Sequence, residues 1–360
     1  MPTLTGQQIR AIAHHVMLAA GALEENAEIV AEHLADANLS GHDSHGLLRV
    51  PDYVRVIKEG RLDPRARPVV AFQDKALARV DGNGVFGQVG ARFATNTAIR
   101  LAREYGIGLV TMCNIGHSGR LGTYPEMAAK EGMAAIMLGG NQLDASGGVA
   151  PFGGRKGRLG TNPLSMAFPY SRGRVILLDF ATSATAVGKL RIYNARGRQL
   201  PGDWLLDSEG HPSSNPQDYF DGGSILPLGG LTMGHKGYAL SFFVLLLGRM
   251  LGQDDPMTFE GTGRSVGDST IIVIDIGKLR PRSETDSDVD WLINYLTDTP
   301  LLEGVDGIMY PGEIEARTRK EREARGVEVE ETTWARVLNV IKGFGLEDCL
   351  GPLPHSEPTT

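Results

Sequence analysis

The sequence predicts an α/β fold in which helices gather at both ends of the chain and strands occupy the middle. The 360 residues allow two intimately joined domains, or one large domain with an excursion. Both ends carry apolar residues at helical spacing, whereas the middle alternates short apolar runs with amphipathic helices. Together these patterns favour α/β over an all-α or an all-β architecture.

The helices and strands follow from apolar spacing and from start and stop signals. Thr5 is suited to cap a first helix and Gly21 to end it. The remaining predicted helices share amphipathic spacing and lie at 24–39, 50–59, 88–105, 124–131, 236–250 (expected to be buried), 286–297, 313–325 and 332–344. The predicted strands are short apolar or β-branched runs at 76–80, 108–112, 134–138, 165–168, 175–180 and 270–276.

Three connecting stretches separate these elements. Residues 60–75 contain several prolines and are expected to form a connection, and residues 196–230 are rich in turn-forming residues. The glycine-rich stretch 139–163 predicts a long functional loop, since long loops in compact domains are usually functional or disordered.

Composition limits the possible partners and compartments. The net charge of −7 gives no reason to expect nucleic acid or an anionic membrane. The two cysteines, Cys113 and Cys349, are too few and too far apart for a disulfide framework. No signal peptide is recognisable, and the longest apolar run, 239–247, is too short to cross a bilayer. We therefore expect a cytoplasmic protein.

Residues 82–87 read GNGVFG, which matches the G-x-G-x-x-G fingerprint of dinucleotide-binding folds. The preceding run KALARVD is short and polar at alternate positions, unlike the continuous apolar strand of a buried parallel sheet. We interpret the glycines as a strand-to-helix turn and not as a pyrophosphate site.

The stretch GHDSHG at 41–46 is the first of three segments dense in reactive side chains. His45 is a candidate proton donor and acceptor, because histidine exchanges protons near neutral pH. Arg49, one helical turn further on, is suited to hold a carboxylate through two hydrogen bonds. The alternative is that these are capping and turn residues beside a solvated arginine.

The other two segments each open a helix. One runs from Asn114 to Tyr124 and contains His117 and Arg120, in a loop whose backbone N–H groups favour an anion. The other is GHKGY at 234–238, where Lys236 is suited to pair with phosphate or carboxylate. The alternatives are an ordinary strand-to-helix loop and a basic surface turn.

Two further segments are weaker candidates for a functional site, and so is a metal site. The strand 177–183 ends in small polar residues that suit either a nucleotide wall or an ordinary strand end, and residues 311–313 suit a simple helix start. His42 and His45 lie three residues apart without a matching carboxylate or cysteine cluster, so no metal site is predicted.

The chain resembles the malate/L-lactate dehydrogenase family of the second, non-Rossmann type, and within it the hydroxycarboxylate dehydrogenases. The matching motifs occur in family order along most of the chain. They are GHDSHGLLRVPDYV (41–54), GHSGRLGTY (116–124), VAPFGG (149–154), GTNPLSMAFP (160–169), LLDFATSATAVGK (177–189), LLDSEGHPSSNP (205–216), GHKGYALS (234–241) and YPGEIEARTRKER (310–322).

The resemblance implies a family-specific NAD(P)-binding fold with a mixed sheet. A helical part would be formed by both termini, residues 1–75 packing with residues 285–350, and residues 76–284 would form the cofactor- and substrate-binding α/β part. It also implies a homodimer with the site near the subunit interface. Two stretches depart from the family pattern, the insertion-like LGGLTMG (228–234) and the glycine-rich NQLDASGG (141–148).

The resemblance also implies roles for particular residues. His45 matches the family proton donor and His117 matches a histidine that some members use instead, so both stay open; Arg49, possibly with Lys236, would hold the substrate carboxylate. The implied contacts to NAD or NADP are His45, Gly119, Arg120, Leu121, Leu177, Leu178, Asp179, Phe180, Ala181, His235, Gly312, Glu313, Ile314 and Glu315.

The sequence therefore predicts an NAD(P)-dependent enzyme that interconverts small 2-hydroxy acids and 2-oxo acids. Two alternatives are an NADPH-dependent reductase of cyclic ketimines such as piperideine-2-carboxylate, and a non-catalytic small-molecule binding protein on the same scaffold.

Overall fold

The computed structural model describes residues 1–140, 148–252 and 267–347. Its helices are α1 (Gly6–Ala19), α2 (Glu24–Leu39), α3 (Val50–Lys58), α4 (Gly87–Tyr105), α5 (Thr123–Lys130), α6 (Val187–Ala195), α7 (Pro216–Phe220), α8 (Gly230–Leu245), α9 (Arg282–Thr297), α10 (Glu313–Arg325) and α11 (Glu331–Phe344). Its strands are β1 (Thr3–Leu4), β2 (Val69–Asp74), β3 (Leu77–Val85), β4 (Ile107–Ile115), β5 (Ala134–Gly139), β6 (Pro163–Pro169), β7 (Val175–Ala181), β8 (Leu205–Leu206), β9 (Pro212–Ser213), β10 (Ser224–Ile225), β11 (Ser269–Ile274) and β12 (Val327–Glu328).

A mixed sheet of seven strands forms the centre of the described chain, in the order β2-β3-β4-β11-β5-β6-β7. Only the β3–β4 pair is parallel, and the other neighbours are antiparallel. Helices α4 and α5 cover one face around buried Val110, Met112, Met137 and Ile271. The predicted mixed α/β sheet is confirmed.

The GNGVFG segment packs against protein and forms no open cradle. Strand β3 continues through Gly82 to Val85, and helix α4 begins at Gly87. A Cβ at Gly82 would lie 2.3 Å from Ile115, and one at Gly87 would lie 2.2 Å from the Gly116 carbonyl oxygen. Both glycines therefore permit close strand and helix packing, as expected of a strand-to-helix turn.

The two ends of the described chain meet in one hydrophobic core. Strand β1 pairs with β12, and helix α1 packs against α2 and α11. Leu4, Leu34 and Trp334 are among the buried side chains of this core. The division at residues 75 and 285 stays a prediction.

Two predictions of secondary structure were wrong, one for residues 69–74 and one for helix α8. Residues 69–74 form strand β2 and not a connection. The strand lies at the edge of the sheet and all of its residues are exposed, so its sequence lacks the apolar alternation that marks a half-buried strand. Helix α8 begins at Gly230 rather than 236, and its apolar residues Phe242 and Phe243 are exposed rather than buried.

The glycine-rich stretch 139–163 is described in part. Residues 141–147 of this loop, with most of NQLDASGG, lie outside the described residues. The part that follows is anchored, since Val149 bridges to both Leu159 and Ile225.

Candidate active site

His45 lies on a short turn that is clamped by a buried asparagine. The turn Asp43–His45 and the next turn, Leu47–Arg49, are both 3₁₀ helices that follow α2. The Asn38 side chain, at the end of α2, accepts the Leu47 N–H at 2.8 Å and donates to Asp43 at 2.7 Å. A Cβ on Gly46 would lie 2.1 Å from the Asn38 amide oxygen, so this clamp requires glycine at position 46.

Two further contacts fix the orientation of the turn's side chains. Nδ1 of His45 lies 2.9 Å from the Ser44 hydroxyl. Nε of Arg49 donates to the Ser44 carbonyl oxygen at 2.7 Å, and its terminal nitrogen lies 3.5 Å from Asp52. The guanidinium and the imidazole are therefore held by the same residue.

His117 lies against His45, although 72 residues separate them in the chain. The two imidazole rings stack with centroids 5.5 Å apart and planes 14° from parallel. Nδ1 of His117 lies 3.0 Å from the Tyr53 hydroxyl, which accepts a hydrogen bond from the Gln88 amide at 2.6 Å. Within the described chain, Nε2 of neither histidine has a recorded hydrogen-bond partner, which leaves both atoms available to a ligand.

Both imidazoles are neutral at neutral pH. Burial, followed by the positive charge of Arg49, lowers the pKa of His45 to about 3. The same two causes, in the same order, lower the pKa of His117 well below its ordinary value. An anion bound to Arg49 would cancel part of this effect and raise both pKa values.

Three of the segments implied as cofactor contacts converge at the end of strand β7. The Leu177 N–H donates to the Pro311 carbonyl at 3.0 Å, and the Gly122 N–H donates to the Asp179 carboxylate at 2.8 Å. A Cβ on Gly312 would lie 3.0 Å from Leu177, so glycine is needed for α10 to begin this close to β7. Strand, loop and helix start thus form one closely packed cradle along β7.

Side chains from the start of α10 connect this cradle to the His45 turn. Nε2 of His42 lies 3.5 Å from the Glu315 carboxylate. Glu313 accepts the Tyr310 N–H at 3.3 Å, while Ile314 is exposed. The nicotinamide contacts expected from 312–315 thus lie close to the residues flanking His45.

The Arg120 side chain is directed into protein and away from an open cleft. Its guanidinium is 1% exposed and lies within 3.2 Å of Asp36, 3.3 Å of Glu126 and 3.9 Å of Asp179. Its backbone N–H donates to His33 at 2.9 Å. Arg120 thus joins α2, α5 and β7, while the expectation that it adds charge for an anion in the loop stays a prediction.

His235 and Lys236 are placed apart from this cluster. Both are exposed on helix α8, where His235 makes an edge contact with Phe152 at 5.7 Å between ring centroids. No hydrogen bond or ion pair recorded for the described residues joins either of them to His45, His117 or Arg49.

Sequence reasoning missed the residues that hold the site together. Asn38, Tyr53 and Gln88 are buried polar residues that anchor the two histidine segments. Tyr53 and Gln88 lie in apolar helical stripes, where a polar residue facing the core is the signal that could have indicated them.

The described residues offer neither a metal-binding cluster nor a membrane-spanning helix. No group of three or more His, Cys, Asp or Glu side chains is arranged to hold a metal ion among them. In the same residues, no helix combines the length and apolar character needed to span a membrane.

The fold and the site define a mixed-sheet α/β protein in which two neutral imidazoles adjoin a guanidinium. Residues 4–338 match the sequence model of the malate/L-lactate dehydrogenase family. The chain therefore belongs to that family.

Individual relatives cover nearly the whole chain. It is 34% identical to an L-sulfolactate dehydrogenase of Methanothermobacter thermautotrophicus, over 92% of this chain and 94% of that protein. It is 33% identical to hydroxycarboxylate dehydrogenase B of Escherichia coli, over 91% of this chain and 90% of the other. The crystal structure of malate dehydrogenase from Entamoeba histolytica superposes with a TM-score of 0.90 at 29% identity, covering 98% of this chain and 99% of that one.

Proposed function

We propose that this protein is an NAD(P)-dependent dehydrogenase that interconverts small 2-hydroxy acids and 2-oxo acids. The observation that carries the proposal is the stacked pair His45 and His117, each tied through Nδ1 and each with Nε2 available, beside the guanidinium of Arg49. Its relatives' names, sulfolactate and hydroxycarboxylate dehydrogenase, point to the same class of substrate.

Each part of the site has a task in this reaction. Reduction of a carbonyl needs a hydride on carbon, which a bound nicotinamide supplies, and a proton on oxygen. Arg49 binds the substrate carboxylate through charge-assisted hydrogen bonds. The negative charge that this brings offsets the effect of Arg49 on His45, so the pKa of His45 rises when substrate binds. His45 then protonates the carbonyl oxygen in reduction and removes the hydroxyl proton in oxidation.

The cofactor contacts belong to the same proposal. NADH or NADPH would lie along 177–181, with the loop 119–121 and the start of α10 at 312–315 on either side, and would reach His45. Lys236 and His235 are on exposed helix α8, so we propose that they complete the site when helix α8 is covered by a second copy of the chain.

A substrate screen tests the proposal. Purified protein is mixed with NADH or NADPH and a series of 2-oxo acids with aliphatic, carboxylate, sulfonate and aryl side chains, and absorbance of the reduced nicotinamide is followed. A cyclic ketimine, piperideine-2-carboxylate, is included as a separate arm. Turnover of 2-oxo acids is expected; turnover of the ketimine alone would favour the reductase alternative, and no oxidation of either cofactor would indicate a binding protein.

The variant His45→Ala identifies the proton donor. Loss of a positioned acid is expected to lower kcat by about 10²–10⁴-fold with the fold retained. His211→Ala, an exposed histidine paired only with Asp207, is the matched control and should keep wild-type kcat. A His45→Ala variant that turns over near the wild-type rate would assign the proton to His117 instead.

A further inference from the structure

His45 and His117 are alike in burial and in their free Nε2, but their Nδ1 partners differ. Nδ1 of His45 is within hydrogen-bond distance of the Ser44 hydroxyl, which can donate or accept because its O–H is free to rotate. Nδ1 of His117 meets the Tyr53 hydroxyl, which already accepts a hydrogen bond from Gln88. The two imidazoles are therefore not interchangeable as proton carriers.

The Gln88–Tyr53 hydrogen bond favours one position for the proton of His117. A phenol has a single O–H to donate, and the Gln88 amide occupies its oxygen as an acceptor at 2.6 Å. With the Gln88 bond in place, the arrangement that uses the Tyr53 O–H directs it at Nδ1 of His117, 3.0 Å away. A neutral imidazole whose Nδ1 accepts carries its own proton on Nε2.

We propose that Gln88 and Tyr53 lock His117 as the neutral Nε2–H tautomer, so that His117 donates a hydrogen bond to the reacting oxygen while His45 carries the proton. Gln88 is thereby a positioning residue that acts through Tyr53. The assignment of the reacting oxygen rests on the proposed dehydrogenase function, whereas the tautomer lock itself does not.

The surroundings of the lock oppose its reversal. Gln88 is 1% exposed and Tyr53 is 4% exposed, so water cannot easily replace either partner. To protonate Nδ1 of His117, Tyr53 would have to turn its hydrogen away from the imidazole and give up the hydrogen bond between them. Burial raises the pKa of Tyr53 to about 12, so the phenol stays protonated throughout the working range of pH.

The charges that face His117 also disfavour its imidazolium. Arg49, on the second 3₁₀ turn, places a positive charge near the ring, and any protonated form of His45 or of His33 on α2 would add to it. The Ser44 hydroxyl, by contrast, gives His45 a partner for an Nδ1–H. The lock and the local charge thus act in the same direction.

Histidine side-chain ¹⁵N chemical shifts of the full-length protein, without substrate, test the lock directly. The His117 signals are assigned by their loss in His117→Gln. We expect a protonated Nε2 and an unprotonated Nδ1 that persist from pH 8 to pH 5. A protonated Nδ1, or a His117 that titrates within this range, would overturn the proposal whether or not the enzyme reduces 2-oxo acids.

Gln88→Met removes the donor to Tyr53 while it keeps the side-chain volume. We expect both His117 tautomers to appear in the ¹⁵N spectrum and kcat to fall about tenfold, with KM little changed. Thr95→Val on the same helix is the matched control, because Thr95 is buried and bonds only to the Ala91 carbonyl of its own helix. An unchanged His117 spectrum in Gln88→Met would exclude Gln88 as the positioning residue.

Discussion

At the scale of single residues, the position of Arg49 explains the state of the two histidines and underlies the substrate binding that we propose. It is held by the Ser44 carbonyl and lies beside Asp52, so its charge is fixed close to the imidazoles. Its positive charge is the second cause, after burial, of the low pKa values of His45 and His117. In the proposed reaction, one guanidinium therefore both anchors the substrate and lets substrate binding raise the pKa of His45.

Replacing Arg49 should separate these two effects. Arg49→Lys keeps the charge but loses the two-pronged geometry, and we expect KM for the 2-oxo acid to rise about tenfold with a smaller change in kcat. Arg49→Ala should raise KM about 100-fold or more. Steady-state kinetics give both values, and Arg55→Ala, which removes an exposed arginine of α3 paired with Glu59, should leave them unchanged.

The pH profile of the same variant supplies the second measurement. Oxidation of the 2-hydroxy acid needs neutral His45, so kcat/KM falls as the pH drops through the pKa of His45. Removing the positive charge of Arg49 raises that pKa from about 3, so the acid-side fall should begin at higher pH in Arg49→Ala than in the wild type. If kcat/KM falls at the same acidic pH in Arg49→Ala as in the wild type, Arg49 does not control the protonation of His45.

At the scale of elements, the cofactor cradle depends on how closely the 116–122 loop approaches β7. The Gly122 N–H bonds to Asp179, and a Cβ on Gly122 would lie 2.7 Å from the Asp179 carboxylate oxygen. The backbone at Gly122 has an ordinary φ of −55°, so an alanine there suffers from contact and not from backbone strain. Substitution at this position therefore tests the approach of loop and strand alone.

Gly122→Ala should push the loop away from β7 and weaken cofactor binding. We expect the Kd for NADH or NADPH, measured by fluorescence titration, to rise about tenfold because one buried charge-assisted hydrogen bond is disturbed. Gly343→Ala in α11 is the control, since no atom lies within 4 Å of its Cβ and alanine favours the helix. Equal affinities in the two variants would place the cofactor elsewhere.

The sequence predicts best the helices and strands that bury one face and expose the other. Strand β11 and helices α4 and α11 have clear β-branched or amphipathic patterns, and their bounds differ from the expected ones by a few residues. Strand β2 has no buried face, so no pattern distinguished it from a connection. The His45 and His117 segments were recognised by composition, but their stacking depends on tertiary contacts of Asn38, Tyr53 and Gln88, which no local pattern contains.

At the scale of the whole molecule, helix α8 presents apolar side chains that the chain itself leaves uncovered. Phe243 is 60% exposed and Phe242 is 45% exposed, and Leu231, Met233 and Leu247 on the same helix and its continuation are also exposed. Contiguous apolar surface of this kind is typical of an interface between proteins. Because His235 and Lys236 lie on this same helix, its covering would also complete the cofactor and substrate contacts proposed for them.

We therefore expect a homodimer that buries α8, and Phe243→Glu should disrupt it. A charge placed at the centre of an apolar interface loses its hydration without a partner, so the variant should run as a monomer in light scattering at concentrations where the wild type is a dimer. Leu279→Glu changes a leucine outside α8 that is more exposed than Phe243, 79% against 60%, and should stay dimeric. If the proposed roles of His235 and Lys236 are right, the monomeric variant should also have a higher KM for the cofactor. A Phe243→Glu variant that remains a dimer would mean that another surface joins the two copies.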